Sequence, residues 1–103
     1  MGKIMETTSD ALTTAENICS QILAAKLSPC VQIIKDVQSS YLWDNEIVTE
    51  NEYVIKIKTL EKYMAEITSI IENLSTYDVP EVISYNFTME NPEYRNWFYE
   101  NIG

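Results

Sequence analysis

Two long runs of β-favouring residues, separated by two turn-forming residues, constrain the fold of this chain most strongly. The first run, CVQIIKDVQSSYLW, covers residues 30–43 and is rich in Val, Ile and aromatic side chains. The second, EIVTENEYVIKIKT, covers residues 46–59, and its apolar residues alternate with a mixed set that includes two lysines. Asp44 and Asn45 lie between the runs, and both residue types tolerate a positive φ. The pattern predicts a long antiparallel hairpin.

A helical pattern lies on each side of the predicted hairpin. Before it, Ser9 or Asp10 is predicted to cap a helix whose apolar residues recur at helical spacing as far as Ile22, and Pro29 ends the pattern. After it, Thr59 is predicted to cap a second helix with a wide apolar stripe. That stripe consists of Leu60, Tyr63, Met64, Ile67, Ile70, Ile71 and Leu74.

The remaining segments complete an α+β order. Lys3–Thr7 reads as a short strand, and EVISYNFT, residues 81–88, reads as another. Asn91 is a predicted N-cap for a terminal helix, Pro92–Asn101, with proline at the first helical position. The order β-α-β-β-α-β plus a C-terminal helix is the split βαβ, ferredoxin-like pattern. We expect one domain covering residues 1–103, a common domain size.

The charge balance and the residue types that are missing exclude several functions. With 16 acidic and 7 basic side chains, the chain has a formal charge of −9, which argues against nucleic acid and against anionic membranes. Histidine is absent, which removes the commonest general base, and no other arrangement supports nucleophilic catalysis. Glycine occurs only at positions 2 and 103, so a glycine-rich phosphate loop is excluded. We predict no catalytic residues.

The same composition gives an expectation for location. No stretch approaches the roughly 20 apolar residues of a membrane span. The first residues lack the long apolar segment of a signal peptide. Two cysteines do not form a disulfide framework, so we expect reduced thiols in the cytoplasm.

Five segments in order carry a family resemblance that covers nearly the whole chain. They are TTSDALTTAENICSQILAAKLSPCVQI (7–33), SSYLWDNEI (39–47), EYVIKIKT (52–59), TYDVPEVI (76–83) and ENPEYRNWF (90–98). Each segment is short, but together, in this order and spacing, they are specific. The chain resembles the CutA family of divalent-cation tolerance proteins.

The resemblance implies a ferredoxin-like subunit in a compact homotrimer, in which strands of neighbouring subunits pair and the long hairpin supplies much of the interface. It also implies an architecture like that of trimeric PII-type signalling proteins, which bind small ligands in clefts between subunits. The family is linked to tolerance of copper and other divalent metals, and no reaction is established for it. We therefore expect a non-enzymatic protein involved in the response to metal ions. The alternative is a PII-like small-molecule sensor, or a scaffold, that uses the cleft between subunits.

Three positions depart from the family's copper-binding pattern. The family attributes copper binding to a cysteine late in the first strand and to histidine just before the TYDVPE-like segment. The corresponding residues here are Thr7, Leu74 and Ser75, none of which is a good soft-metal ligand. Glycines of the family in the strand and hairpin correspond to Asp36 and Asn45, which should change local turns and keep the fold. Because these ligands are missing, we expect weak copper binding.

Cys30, Asp78 and Glu81 are the candidate metal ligands, and a divalent cation is the one candidate cofactor. Cys30 is either a soft thiolate ligand or a small buried apolar residue. Asp78 and Glu81 either bind a hard cation or serve structure. In the structural interpretation Asp78 accepts backbone N–H groups in its loop, and Glu81 pairs with a lysine, Lys56 or Lys58, across a subunit boundary.

A cleft between subunits is the second candidate site, because aromatic walls with a few polar groups suit small-molecule pockets. The same aromatic residues could instead lock the terminal helix onto the sheet. The candidate cleft residues are Lys58, Tyr77, Asp78, Glu81, Tyr94 and Trp97. The end of the hairpin, with Leu42, Trp43 and Ile47, is predicted to contact a second copy of the chain, because apolar residues on a projecting hairpin usually meet a partner.

Overall fold

The computed structural model describes residues 2–103 as a four-stranded antiparallel sheet with three helices. The sheet order is β2-β3-β1-β4, the order of the split βαβ, ferredoxin-like pattern. The α+β class and the element order predicted from the sequence are therefore confirmed. The elements are β1 (Gly2–Ser9), α1 (Leu12–Ala24), β2 (Cys30–Trp43), β3 (Glu46–Leu60), a 3₁₀ turn (Glu61–Tyr63), α2 (Met64–Leu74), β4 (Ile83–Phe87) and α3 (Pro92–Glu100).

The long hairpin has the predicted turn, and β2 has the predicted bounds, whereas β3 runs one residue further than predicted, to Leu60. Trp43 is paired with Glu46, and the residues between them, Asp44 and Asn45, have φ values of 50° and 63°. A bulge interrupts the pairing after Ile34, near a third left-handed residue, Asp36, with φ 59°. Since Asn and Asp tolerate this region better than other non-glycine residues, the hairpin forms without glycine.

Two predicted helix caps were wrong, because the strands run further than expected. Ser9 ends β1 and exchanges hydrogen bonds of 3.0 and 3.1 Å with the backbone of Ala11, which is the N-cap of α1. Thr59 lies buried within β3, and its hydroxyl donates a 2.6 Å bond to the carbonyl of Leu27. Asn91 is the N-cap of α3 as predicted, although its side chain makes no capping bond.

The core lies between the sheet and the pair of helices α1 and α2. Odd-numbered residues of β1 and β3 face these helices, as side-chain alternation requires. The buried cluster consists of Met5, Ala15, Ile18, Ile22, Leu27, Ile55, Ile57, Ile67 and Ile71. The two helices cover only one side of the sheet.

That other side, here called the open face, is covered by α3 at one end only. It carries the even-numbered residues of β1 and β3 and the residues in register with them on β2 and β4. Phe98 of α3 is fully buried and makes an edge-to-face contact with Phe87, ring centroids 6.0 Å apart. Phe87 in turn lies so close to Gly2 that a Cβ there would stand 2.4 Å from its ring. The far end of the open face continues onto the projecting hairpin, and the molecule extends 46 Å along its longest axis.

Candidate functional site

A large cleft lies between the loop 75–82 and the open face, at the base of the hairpin. Its volume is about 750 Å³, within the range of small-molecule sites. We call it the acidic cleft. It is lined by Thr8, Ser39, Ser40, Tyr41, Trp43, Val48, Glu50, Glu52, Thr76, Tyr77, Asp78, Val79 and Glu81.

The pair Tyr77 and Glu52 forms the inner wall of the acidic cleft. Tyr77 Oη donates a 2.5 Å hydrogen bond to Glu52 Oε2, and Glu52 is only 7% exposed. Burial raises the pKa of Tyr77 well above its ordinary value, and the hydrogen bond to Glu52 and the nearby negative charges raise it further. The phenol therefore stays protonated at neutral pH and remains a donor to the carboxylate.

Short polar contacts hold the loop 75–82 in place. The hydroxyl of Ser75, the C-cap residue of α2, accepts a 3.1 Å bond from the Tyr77 N–H. Thr76 Oγ1 donates a 3.0 Å bond to Asp10 Oδ1 in the connection between β1 and α1. Pro80 prevents a helix from continuing through this segment. The loop is thus held at the end of α2 and at the β1–α1 connection, and its carboxylates line the cleft.

The electrostatics of the acidic cleft favour a cation. Its lining residues include four carboxylates and no lysine or arginine. Partial burial raises the pKa of Glu81, and the negative charges of Glu52 and Glu6 raise it further. A positive group placed there would relieve this repulsion, whereas an anionic ligand would increase it.

The predicted cleft residues fall into two groups within one chain. Tyr77, Asp78 and Glu81 line the acidic cleft. The other three form what we call the Lys58 patch at the end of the open face that α3 covers. There Lys58 Nζ lies 5.8 Å from the ring centroid of Tyr94, whose ring lies 5.5 Å from that of Trp97. The hydroxyl of Tyr94 is buried and has no hydrogen-bond partner among residues 2–103.

The acidic cleft and the Lys58 patch lie far apart along β3, which contributes Glu52 to one and Lys58 to the other. Glu52 and Lys58 are six positions apart in β3 (58 − 52 = 6). With a rise of about 3.4 Å per residue, this places them about 20 Å apart. Lys58 therefore cannot serve the acidic cleft of its own chain.

The candidate metal ligands are not brought together either. Cys30 begins β2 and pairs with Lys58, at the opposite end of the open face from Asp78 and Glu81. Within residues 2–103, no group of three His, Cys, Asp or Glu side chains is arranged to hold a metal ion. Both cysteines are free thiols, and burial raises the pKa of Cys19, with Cys30 and Glu16 adding smaller effects.

The positions that correspond to the family's copper ligands have other structural roles. Thr7 is fully buried on the helix side of β1, where its hydroxyl has no partner among the described residues. Leu74 packs against the core, and Ser75 supports the loop. A hydroxyl and an alkyl group do not supply the soft donors that copper prefers.

Sequence reasoning missed the carboxylates of β3 that face the acidic cleft, Glu50 and Glu52. Tyr41 Oη donates to Glu50, and Tyr77 Oη donates to Glu52. The available signal was the spacing of these two acids, which places both on one face of the strand. Their tyrosine partners could not be inferred, because the pairs join residues from separate elements.

The end of the hairpin is strongly exposed, as the sequence suggested. Leu42 is 74% and Ile47 78% exposed, and Trp43 is about half exposed. An apolar end of this kind typically marks a contact with another protein.

The sequence matches one known protein family over nearly its whole length. The family model described as CutA1 divalent ion tolerance protein matches residues 3–101. The chain belongs to the CutA1 family. The family is named for tolerance of divalent ions, which agrees with the resemblance noted in the sequence.

Relatives in the CutA1 family match in both sequence and structure. The divalent-cation tolerance protein CutA of Thermus thermophilus is 27% identical over the full length of both chains, and its structure superposes with a TM-score of 0.92. The chloroplastic CutA 1 of Oryza sativa is 32% identical over 82 residues, which are 80% of this chain and 46% of that protein. The Oryza crystal structure has a TM-score of 0.92 at 26% identity, covering 99% of this chain and 94% of that one.

A CutA from Archaeoglobus fulgidus shares the fold at a TM-score of 0.92 and 24% identity, over the whole of both chains. That protein is described as periplasmic. In the present chain, no helix within residues 2–103 is both long and apolar enough to cross a bilayer.

Proposed function

We propose that this chain acts in the tolerance of divalent metal ions as a homotrimeric protein without enzymatic activity. The observation that carries the proposal is the CutA1 match over residues 3–101, together with the superposition on the Thermus thermophilus protein over both full lengths. The absence of histidine and of glycine-rich loops from the sequence supports a non-enzymatic role.

The assembly is supported by the surfaces that one chain leaves uncovered. The hairpin end exposes Leu42 and Ile47, and the open face exposes Ile34, Ile83 and Tyr85 beyond the reach of α3. Burying such apolar surface against other copies is favourable and supports an oligomer. In a ring of three copies, each contact joins one patch of a subunit to a different patch of the next subunit. The hairpin of each copy can therefore take part in one contact of the ring.

The role in metal tolerance, in this proposal, does not depend on a copper site made of cysteine and histidine. Thr7, Leu74 and Ser75 offer hydroxyl and alkyl groups at the corresponding positions. Within one chain Cys30 is separated from Asp78 and Glu81, so a divalent cation in the acidic cleft of that chain would be bound weakly, through carboxylates alone.

Growth under metal stress tests the proposal. A bacterial host lacking its own CutA should grow at higher Cu²⁺ or Zn²⁺ concentrations when it expresses this chain. Light scattering on the purified protein should give three times the mass of one chain. Full expression without any gain in tolerance would contradict the functional part, and a monomer at micromolar concentration would contradict the assembly.

A small-molecule sensor is the second candidate, supported by the volume of the acidic cleft and by its aromatic wall of Tyr41, Trp43 and Tyr77. Its four carboxylates favour organic cations over nucleotides and organic anions. A thermal-shift screen with both classes distinguishes them. A shift given by amines and lost in Tyr77→Phe supports a sensor of cations, and a flat screen leaves the structural role.

For location, we propose the cytoplasm, because both cysteines are free thiols and reduced cysteines are typical of that compartment. The periplasmic description of the Archaeoglobus fulgidus protein is the competing case. Fractionation of the native host with an antibody against this chain decides between the two.

A further inference from the structure

The open face carries two patches of complementary charge that cannot meet within one chain. The acidic cleft lies at the base of the hairpin, and the Lys58 patch lies at the end covered by α3. The two patches are about 20 Å apart along β3, as derived above from the strand rise. Within one chain, the two patches are therefore separate and opposite in charge.

Among residues 2–103, no lysine or arginine lines the acidic cleft. Glu50 and Glu52 each accept a hydrogen bond from a tyrosine hydroxyl, Tyr41 and Tyr77 respectively. A hydroxyl satisfies the geometry of a carboxylate oxygen but brings no positive charge. The negative charge on this wall of the cleft is therefore left uncompensated.

The uncompensated negative charge affects the pKa of Glu81. It lies on the extended segment just before β4, and it lines the same cleft as Glu52. Glu81 is exposed, but partial burial of its carboxyl raises its pKa, and the negative charges of Glu52 and Glu6 raise it further. A cation arriving from outside the chain would stabilise the ionised form of Glu81.

The Lys58 patch presents a cation together with apolar surface. Lys58 is partly buried and lies over the ring of Tyr94, while Trp97 beside it is 42% exposed. An ammonium group that lies over an aromatic ring is in contact with fewer water molecules than a fully exposed one. Its attraction to a carboxylate is therefore stronger than that of a fully hydrated surface lysine.

We propose that Lys58 of one copy enters the acidic cleft of the next copy and pairs with Glu81 there, with Tyr94 and Trp97 packing on the aromatic wall. This inference rests on the homotrimer proposed above. A cyclic assembly brings two different patches of the same chain together at each contact, and these two are complementary in charge. The cleft, at about 750 Å³, has room for more than one side chain.

Subunit exchange measures the strength of this contact directly. Isotope-labelled and unlabelled copies of the full chain are mixed at low ionic strength, and native mass spectrometry follows the formation of mixed trimers. Glu81→Lys and Lys58→Glu, tested singly, should each speed exchange about tenfold or more, because loss of an interfacial charge pair acts mainly on dissociation. The double variant Glu81→Lys with Lys58→Glu should return towards the wild-type rate, since the pair is restored in reverse.

Controls separate this contact from a general effect of charge. Glu72 and Lys62 are exposed residues that do not line the acidic cleft. Glu72→Lys and Lys62→Glu make the same changes in net charge and should leave the exchange rate unchanged. Circular dichroism checks that each variant is folded. If a charge reversal prevents folding, Glu81→Gln and Lys58→Gln, singly and together, form the double-mutant cycle in its place.

The outcomes distinguish this inference from the assembly on which it rests. A wild-type chain that runs as a monomer overturns the homotrimer and the pairing together. A wild-type trimer whose exchange rate is unaffected by both single variants overturns the pairing alone. Independent effects in the double variant, with no recovery, also overturn it, because residues in direct contact must be coupled.

Discussion

The hydroxyl of Tyr77 donates a 2.5 Å hydrogen bond to Oε2 of Glu52, joining the loop before β4 to the middle of β3. The two residues are 25 positions apart in the sequence. Glu52 is buried, and its carboxylate would be costly to leave without a donor. This contact positions the loop that completes the acidic cleft.

Tyr77→Phe should therefore destabilise the protein by about 1–3 kcal/mol, since it leaves a buried carboxylate without its donor. Chemical denaturation followed by circular dichroism measures the change. Tyr41→Phe is the matched control, because Tyr41 also donates to a glutamate, Glu50, but both residues are more exposed. Equal losses in the two variants would show that burial of Glu52 does not matter.

The hairpin end should control assembly with little effect on the fold of one chain. Leu42→Glu or Ile47→Glu should shift the trimer towards smaller species in light scattering, because a charge would be buried at the contact. Leu23→Glu, on the exposed side of α1, is the control and should remain trimeric. Trimers of unchanged mass in the hairpin variants would remove these two residues from the interface.

The turn of the hairpin depends on residues that tolerate a left-handed backbone. Asn45 has φ 63°, and Asn45→Ala should destabilise the protein by about 1 kcal/mol, because a Cβ is disfavoured there without the local polar contacts of asparagine. Asn45→Gly should be neutral or slightly stabilising. Thermal unfolding of both variants gives the comparison, and an alanine variant as stable as the glycine variant would contradict the account.

The packing of α3 depends on Phe98. Phe98→Ala should cost about 3–5 kcal/mol, the usual range for a fully buried phenylalanine. Tyr99→Ala is the control, because Tyr99 is about half exposed and its loss should cost less than that of Phe98. Denaturant midpoints measure both, and a small loss in Phe98→Ala would mean that α3 adds little to the stability of the sheet.

The thiol of Cys19 should react slowly near neutral pH. Its pKa is raised above that of a free thiol, chiefly by burial and then by Cys30 and Glu16, so a smaller fraction of it is the reactive thiolate at a given pH. In a Cys30→Ser variant, which isolates Cys19, the alkylation rate by iodoacetamide should reach half its maximum at a higher pH than that of free cysteine in the same buffer. That substitution removes one contribution to the raised pKa but not the main one, and a half-maximum at or below that of free cysteine would contradict the prediction.

Local sequence patterns predicted the strands and turns well. The bounds of β2 and the turn at Asp44 and Asn45 follow from residue types and from the period-2 alternation of side chains, which act over neighbouring positions. The errors at Ser9 and Thr59 have one cause. Both residue types are good helix caps, but here pairing with a neighbouring strand extends the β structure through them.

The candidate site was predicted only in part. Tyr77, Asp78 and Glu81 do share one cleft, because they lie on one short loop. Lys58 belongs to a different end of the open face, and the sequence contains no signal for the distance between them. Glu52 was missed because its burial depends on a loop that follows it by more than 20 residues.

The sequence by itself determined the order of strands and helices, the hairpin and the family, because periodicity, turn chemistry and short motifs are local properties. Only the tertiary structure decided that Tyr77 reaches Glu52, that four carboxylates line one cleft and that Lys58 lies about 20 Å away. Those relationships depend on strand register and on how the loop packs across the sheet. Both are set by contacts between residues far apart in the chain.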